Sequence, residues 1–109
     1  MTNKHSLICQ DNIRKFLDEC PDVIEMTKIS PVIVEQHEDI VAGIVLIAES
    51  HISVHASLNT GIFFIDIFSC TFFNVYAATA FIKSTFEPSN VMSVKTQNRG
   101  SEFIRSFNI

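Results

Sequence analysis

The sequence predicts an α+β two-layer sandwich, a mostly antiparallel sheet with two helices on one face. Three observations lead there. Apolar, β-branched runs recur along the chain: PVIVE from Pro31, VAGIVLIA from Val41, IFFIDIFSC from Ile62 and VMSVKT from Val91. Only two segments, after Asp11 and after Asn74, carry helical spacing or a helix-start signal. Those two fall between groups of strands and do not alternate with single strands, as they would in a parallel α/β fold.

Taken in order, HSLIC (residues 5–9) reads as a short first strand. Asp11 suits a helix N-cap, and Ile13, Phe16 and Leu17 then fall at i, i+3 and i+4, an apolar helical stripe. Pro21 ends that helix or starts a second short turn of it. The runs from Pro31 and Val41 flank a polar His37-Glu38-Asp39 turn, so residues 31–48 read as a hairpin. Their near-continuous apolar character implies burial on both faces, or one face against helices and the other in a subunit contact. After Gly61, alternation puts Ile62, Phe64, Asp66, Phe68 and Cys70 on one face, with Phe63, Ile65, Ile67 and Ser69 on the other. Asn74 is placed to cap a helix of about a dozen residues through Phe86, stopped at Pro88. Val91–Thr96 is a last short strand, and SEFIRSFNI a frayed end or a docked turn.

Composition narrows the function classes. The 109 residues make one domain (1–109), and 47% hydrophobic against 18% charged residues exclude a disordered chain. A formal charge of -4 without a Lys/Arg cluster argues against a nucleic-acid surface and would tolerate, or weakly attract, a cationic small molecule. No run reaches the ~18–20 apolar residues of a membrane span, and MTNKHSLICQ lacks the apolar segment of a signal peptide. Cys9, Cys20 and Cys70 form no CxxC pair, which fits a reduced, cytoplasmic protein.

The chemistry concentrates in AESHISVH, residues 48–55, where an apolar strand runs into a carboxylate, two hydroxyls and two imidazoles. Such groups are costly to bury unless paired. Ser50 and His55 lie ~16 Å apart on a straight strand and on opposite faces, whereas a nucleophile–base contact needs ~3 Å. The chain must therefore bend or break between them, or they never meet. A hairpin linking 44–55 to 62–70 brings Cys70 back toward Ser50. Zinc held by His51, His55 and Cys70 lacks a further ligand at metal spacing, so no metal is expected. A Ser/His/Asp hydrolase lacks a GxSxG elbow. A cysteine in a Phe-rich strand is ordinarily a small core hydrophobe, and Asp66 needs a histidine or backbone partner. The residues alone give a small cytoplasmic α+β domain with a site near 49–55.

ESHISVH followed by GIFFIDIFSC resembles the prokaryotic S-adenosylmethionine decarboxylase proenzymes, which are pyruvoyl-dependent. That family reads Glu-Ser-His-(Leu/Ile)-Ser-(Ile/Val)-His, then threonine-tryptophan-proline-glutamate, then a strand ending Val-Asp-Val-Phe-Thr-Cys. The likeness is sharp over residues 43–70 and covers the Ser-to-His and Ser-to-Cys spacings without a gap. It implies self-cleavage between Glu49 and Ser50. The Ser50 hydroxyl attacks the Glu49 carbonyl to give an ester, loss of the Ser50 α-proton leaves dehydroalanine, and hydrolysis leaves a pyruvoyl group on residues 51–109. That covalent cofactor condenses with a substrate amine and takes up the electrons left when CO₂ departs. By the same resemblance His55 assists processing, Cys70 returns a proton to the substrate α-carbon, and the protein is a homodimer in polyamine biosynthesis. A thiol, with an ordinary pKa of ~8.5, suits that role. Cleavage also makes Ser50 a chain terminus, free to turn.

The departures fall on the substrate-binding positions. ASLNTG follows His55, so the ribose-holding glutamate of the family falls on Asn59 and the tryptophan on Ser57. The adenine-stacking aromatic falls on Gln36, and a hydroxyl used in processing on Ala42. Losing a bidentate carboxylate and a stacking ring costs about 1–3 kcal/mol of affinity each. Three readings follow: action on S-adenosylmethionine with other residues gripping it; the same chemistry moved to a smaller amine such as ornithine or arginine; or a non-catalytic paralogue that partners or regulates an active copy. Ala42 alone favours the third.

Overall fold

The computed structural model describes residues 7–48, 50–69 and 72–88, and the backbone of 90–97 and 102–108. Its elements run α1 (Gln10–Val23), β1 (Ile33–His37), β2 (Ile40–Ile47), β3 (Ser50–Ser57), β4 (Ile62–Phe68), α2 (Val75–Phe86), β5 (Asn90–Gln97) and β6 (Glu102–Asn108). The strands form one sheet in the order β1-β2-β3-β4-β6-β5, antiparallel at every pairing. Both helices pack on one face, which is the two-layer α+β arrangement expected from the pattern.

The predicted hairpin is β1–β2, turning at Glu38-Asp39 with Glu38 in the left-handed region at φ 56°. In β2 the two faces separate cleanly. Val41, Gly43, Val45 and Ile47 are buried under the helices, while Ile40, Ala42, Ile44 and Leu46 face outward. β3 and β4 continue the division. Ile52, Val54, Ala56, Phe63, Ile65 and Ile67 point inward, and His51, Ser53, His55, Phe64, Asp66 and Phe68 lie on the open face. The alternation read from Ile62 onward therefore holds through Ser69, which is buried. Cys70 lies outside the described residues.

Phenyl rings join the layers. Phe16 of α1 stacks on Phe81 at 5.4 Å between centroids and meets Phe86 at 5.0 Å. Phe86 in turn meets Phe63 of the sheet at 5.1 Å. Such pairs add about 0.5–1.5 kcal/mol each beyond the area they bury. α2 starts and ends as its sequence implies. Asn74 accepts a hydrogen bond from the Ala77 N–H at 3.0 Å, and Glu87, at φ 45°, closes the last turn before Pro88.

Three local expectations need correction. Leu7 and Ile8 form a single 3₁₀ turn, not a strand; residues 5 and 6 lie outside the described set. Ile8 is fully buried, and the Asn12 amide binds this turn's Leu7 carbonyl and, at 3.1 Å, the Thr85 carbonyl of α2. The N-cap of α1 is Cys9, with no side-chain cap bond, and Asp11 sits inside the first turn, where its charge still suits the positive helix end. Of the two readings of Pro21, the one that continues the helix holds: α1 runs two residues further, and beyond it the Pro21 carbonyl accepts from the Met26 N–H at 2.7 Å. The tail is neither frayed nor a turn, but strand β6, paired along β4 from Phe68↔Glu102 to Ile62↔Asn108. Without it β4 would present a row of unpaired backbone groups. Among the described residues no helix is long and apolar enough to cross a membrane.

Gly43 marks the closest approach of α1 to the sheet. A Cβ there would lie 2.7 Å from Leu17 Cδ1, 3.1 Å from Ile13 Cγ2 and 3.2 Å from Val34 Cγ2. Leu17 and Ile13 are fully buried, so neither has space to yield. Gly43→Ala is expected to lower unfolding free energy by about 1–3 kcal/mol by overpacking, read as a lower urea midpoint at unchanged slope.

Candidate functional site

The polar stretch is fixed by the β2–β3 hairpin. Its register ends at Ile47↔Ser50, so only Ala48 and Glu49 connect the two strands. Glu49, the expected cleavage-site residue, lies outside the described residues. On its outer side the end of β2 is held by residues 27–30. The Ala48 N–H donates to the Thr27 carbonyl at 3.0 Å, the Ile29 N–H to the Leu46 carbonyl at 2.9 Å, and the Leu46 N–H to Ser30 Oγ at 2.9 Å. Ser50 opens β3 and is half-buried. It shares parity with Ile52 and Val54, hence the helix side, whereas His55 faces the open side. β3 runs unbroken from Ser50 to Ser57, so the two residues stand on opposite faces as their spacing predicts, and this structure does not bring them together.

The open face gathers most of the remaining polar groups of the stretch. Across the β3–β4 ladder His51 pairs with Phe68, Ser53 with Asp66 and His55 with Phe64. His51 stacks its ring on Phe68 at 5.7 Å and 12°, and its Nε2 lies 3.5 Å from Asp66 Oδ2. Among the described residues nothing hydrogen-bonds the buried Oδ1 of Asp66. Residue patterning placed Asp66 among phenyl rings and left its partner open. The partner is His51, and the signal for it is the Leu58–Gly61 turn, whose length fixes which β3 residue faces which β4 residue.

His55 borders a hollow of about 330 Å³ whose other walls are Ile40, Ala56, Ser57, Thr60, Ile62 and Phe64. Directly across the β2–β3 ladder from His55 stands Ala42. Ser57 shares the hollow, its hydroxyl donating to Asp39 Oδ2 at 3.3 Å and accepting from the Thr60 N–H at 3.2 Å. Asn59 is exposed in the turn beside it. Gln36 does not join them. It lies on the edge strand with the parity of buried Val34, its side-chain carbonyl accepts from Gln10 of α1 at 2.8 Å, and its amide donates to the Glu38 carbonyl at 2.9 Å. The structure thus brings His55 and Ser57 together, sets Asn59 next to them, and places Gln36 on the helix side. Among the described residues no group of three His, Cys, Asp or Glu side chains is arranged to hold a metal ion.

A family model described as S-adenosylmethionine decarboxylase matches residues 2–100. Among characterised proteins, the S-adenosylmethionine decarboxylase proenzyme of Archaeoglobus fulgidus is 40% identical over 68 residues, 62% of this chain and 61% of that protein. The match therefore spans about three fifths of that relative's length. No solved structure matches the chain.

The two described cysteines differ in chemical access. Cys20 is on the buried face of α1, and burial pushes its thiol up from 9.0 to about 12; Cys9, at the helix start, is only half-buried. A thiol held neutral is a poor nucleophile. Iodoacetamide at about pH 8 is expected to alkylate Cys9 in the native protein and Cys20 only after unfolding, as read by peptide mass. Because the folded state keeps its proton longer, the stability Cys20 contributes is fully present below pH 9.0 and is lost as pH rises toward about 12. Cys20→Ala is expected to remove that part of the alkaline slope in urea unfolding.

Proposed function

The chain belongs to the S-adenosylmethionine decarboxylase family, and from that premise we propose that it is a pyruvoyl-dependent decarboxylase that cleaves itself between Glu49 and Ser50. The observation that carries this reading is the placement of Ser50 as the first residue of β3, one bond beyond a two-residue connection whose flanking strands are each held independently. A cut there severs a turn and leaves both fragments bound. The N-terminal fragment keeps α1, β1 and β2, anchored by the β2–β3 ladder and by Phe16 on Phe81 and Phe86. The fit to a pyruvoyl group is local: the residue to be converted sits at the first position of a strand.

In this reading Ser50 supplies the hydroxyl that attacks the Glu49 carbonyl and, after elimination and hydrolysis, becomes the pyruvoyl group. When formed, that group supplies an electrophilic carbonyl for a substrate amine and a reservoir for the electrons released with CO₂. His55 handles protons during processing, and Cys70 protonates the substrate α-carbon. The protein works in the cytoplasm, in polyamine biosynthesis, as a homodimer. Support for a second copy comes from the open face, where Ile33, Ile40, Ile44, Leu46 and Phe64 remain exposed as a broad apolar surface.

The substrate is S-adenosylmethionine or a small basic amino acid such as ornithine or arginine. The substrate-binding positions favour the smaller amine. Gln36 is engaged on the helix side, Ser57 is tied to Asp39 and Asn59 is an amide, so none supplies the stacking ring or the carboxylate that the family uses for adenosine. The chain's charge of -4 suits all of these candidates alike, since each is a cation. A non-catalytic paralogue is the second reading, favoured by Ala42, which leaves the position facing His55 without a hydroxyl.

Intact mass of the purified protein is expected to show two fragments, 1–49 and 50–109, that co-purify and separate only in denaturant. Ser50→Ala is expected to remain one chain. Cys70→Ala is expected to cleave yet release at least about tenfold less CO₂. Labelled CO₂ from S-adenosylmethionine, ornithine, arginine or lysine identifies the substrate. A cleaved protein that releases none from any of them supports the paralogue, and a wild-type chain that stays whole overturns the proposal.

A further inference from the structure

We propose that Asp66 is a positioning residue that acts through His51 to hold the reactive end of β3. This rests on the self-cleavage reading above. Once the Glu49–Ser50 bond is cut, the ketone-bearing group hangs from the backbone nitrogen of His51. The β3–β4 register begins at His51, which pairs with Leu46 on one side and Phe68 on the other. It is thus paired with both neighbouring strands, and its orientation sets that of the amide conjugated to the ketone.

The His51 side chain is fixed by two contacts. Phe68 stacks beneath its ring at 5.7 Å, which fixes the ring plane, and Asp66 Oδ2 lies 3.5 Å from Nε2, which fixes its rotation about that plane. Stacking alone leaves the imidazole free to slide or flip; the carboxylate removes that freedom.

Asp66 is a poor device for stability. It stands in the middle of a strand between Phe64 and Phe68 on the same face, and its Oδ1 is buried without a hydrogen-bond partner among the described residues. A β-branched residue would fit that pleat better. The substitution that removes the carboxylate should therefore spare the fold while releasing His51.

The test uses the full-length chain as wild type, Asp66→Asn, Asp66→Val, His51→Gln and the Asp66→Asn/His51→Gln double variant. Each is assayed for cleavage by intact mass, for the rate at which phenylhydrazine labels fragment 50–109, for CO₂ release from S-adenosylmethionine, ornithine and arginine, and for melting temperature. Asp66→Asn is expected to cleave fully, with its phenylhydrazine rate and any kcat lowered at least about tenfold and KM within about threefold of wild type. The double variant is expected to be no worse than the more impaired single one, because the two residues act as one unit. Asp66→Val is expected to melt at or above the wild-type temperature while showing the same loss. A wild-type chain that never cleaves overturns the underlying reading and this one with it. A wild-type chain that cleaves, beside an Asp66→Asn variant within about twofold of it in labelling rate and turnover, overturns the positioning role alone. So does an Asp66→Asn variant that fails to cleave, or two single-variant losses that multiply in the double variant.

Discussion

From His51 to Ala56, β3 is held between β2 and β4, and the rest of the site follows from that double pairing. A strand fixed on both sides cannot slip by one residue without exchanging its faces. Here slippage would drive His51, Ser53 and His55 into the phenyl-lined core and expose Ile52 and Val54, a loss of several kcal/mol in buried side chains alone. The polar stretch therefore has one arrangement. Ser50 is left at the strand's first position, His51 faces Asp66, and His55 faces the hollow beside Ser57.

The same pairing would let one chain tolerate the proposed cut between Glu49 and Ser50. Cutting a protein at a strand end ordinarily frees both pieces, and the entropy gained opposes their staying together. The opposing interactions here cross the cut in both layers. In the sheet they are the β2–β3 backbone bonds, and in the helix layer the Phe16 contacts with Phe81 and Phe86. Gly43 belongs to this arrangement, because only a residue without a side chain lets Leu17 and Ile13 sit directly on β2. α1 is thereby seated on a sheet to which the segments on both sides of Glu49 contribute.

Much of this was legible in the sequence wherever the signal was local. The β1–β2 hairpin, the faces of β4 and the Asn74-capped α2 all carry alternation or a capping residue within their own few positions. The misses share a different character. Cys9 caps α1 without a side-chain bond, so no residue type announces it. The turn at Leu7 and Ile8 is set by Asn12 reaching to Thr85 in α2, a distant partner. EFIRSFN becomes a strand because β4 offers an edge, which its own composition does not disclose. At the site, the opposed faces of Ser50 and His55 followed from parity, whereas the His51–Asp66 contact depended on a register that only the folded turn defines.

The lasting tension in this fold is between grip and freedom at one strand end. A self-cleaving residue must be held while its hydroxyl approaches the neighbouring carbonyl, then released enough to meet a substrate. A residue in the middle of β3 meets the first demand but not the second, since backbone bonds to both neighbours would have to break. A residue in a long loop meets the second only. The first position of a strand after a two-residue connection lies between these limits. Ser50 is still in register with Ile47, and by His51 the strand is in register with β4 as well. The chemistry assigned to Ser50 and the stiffness of the sheet are reconciled at that boundary.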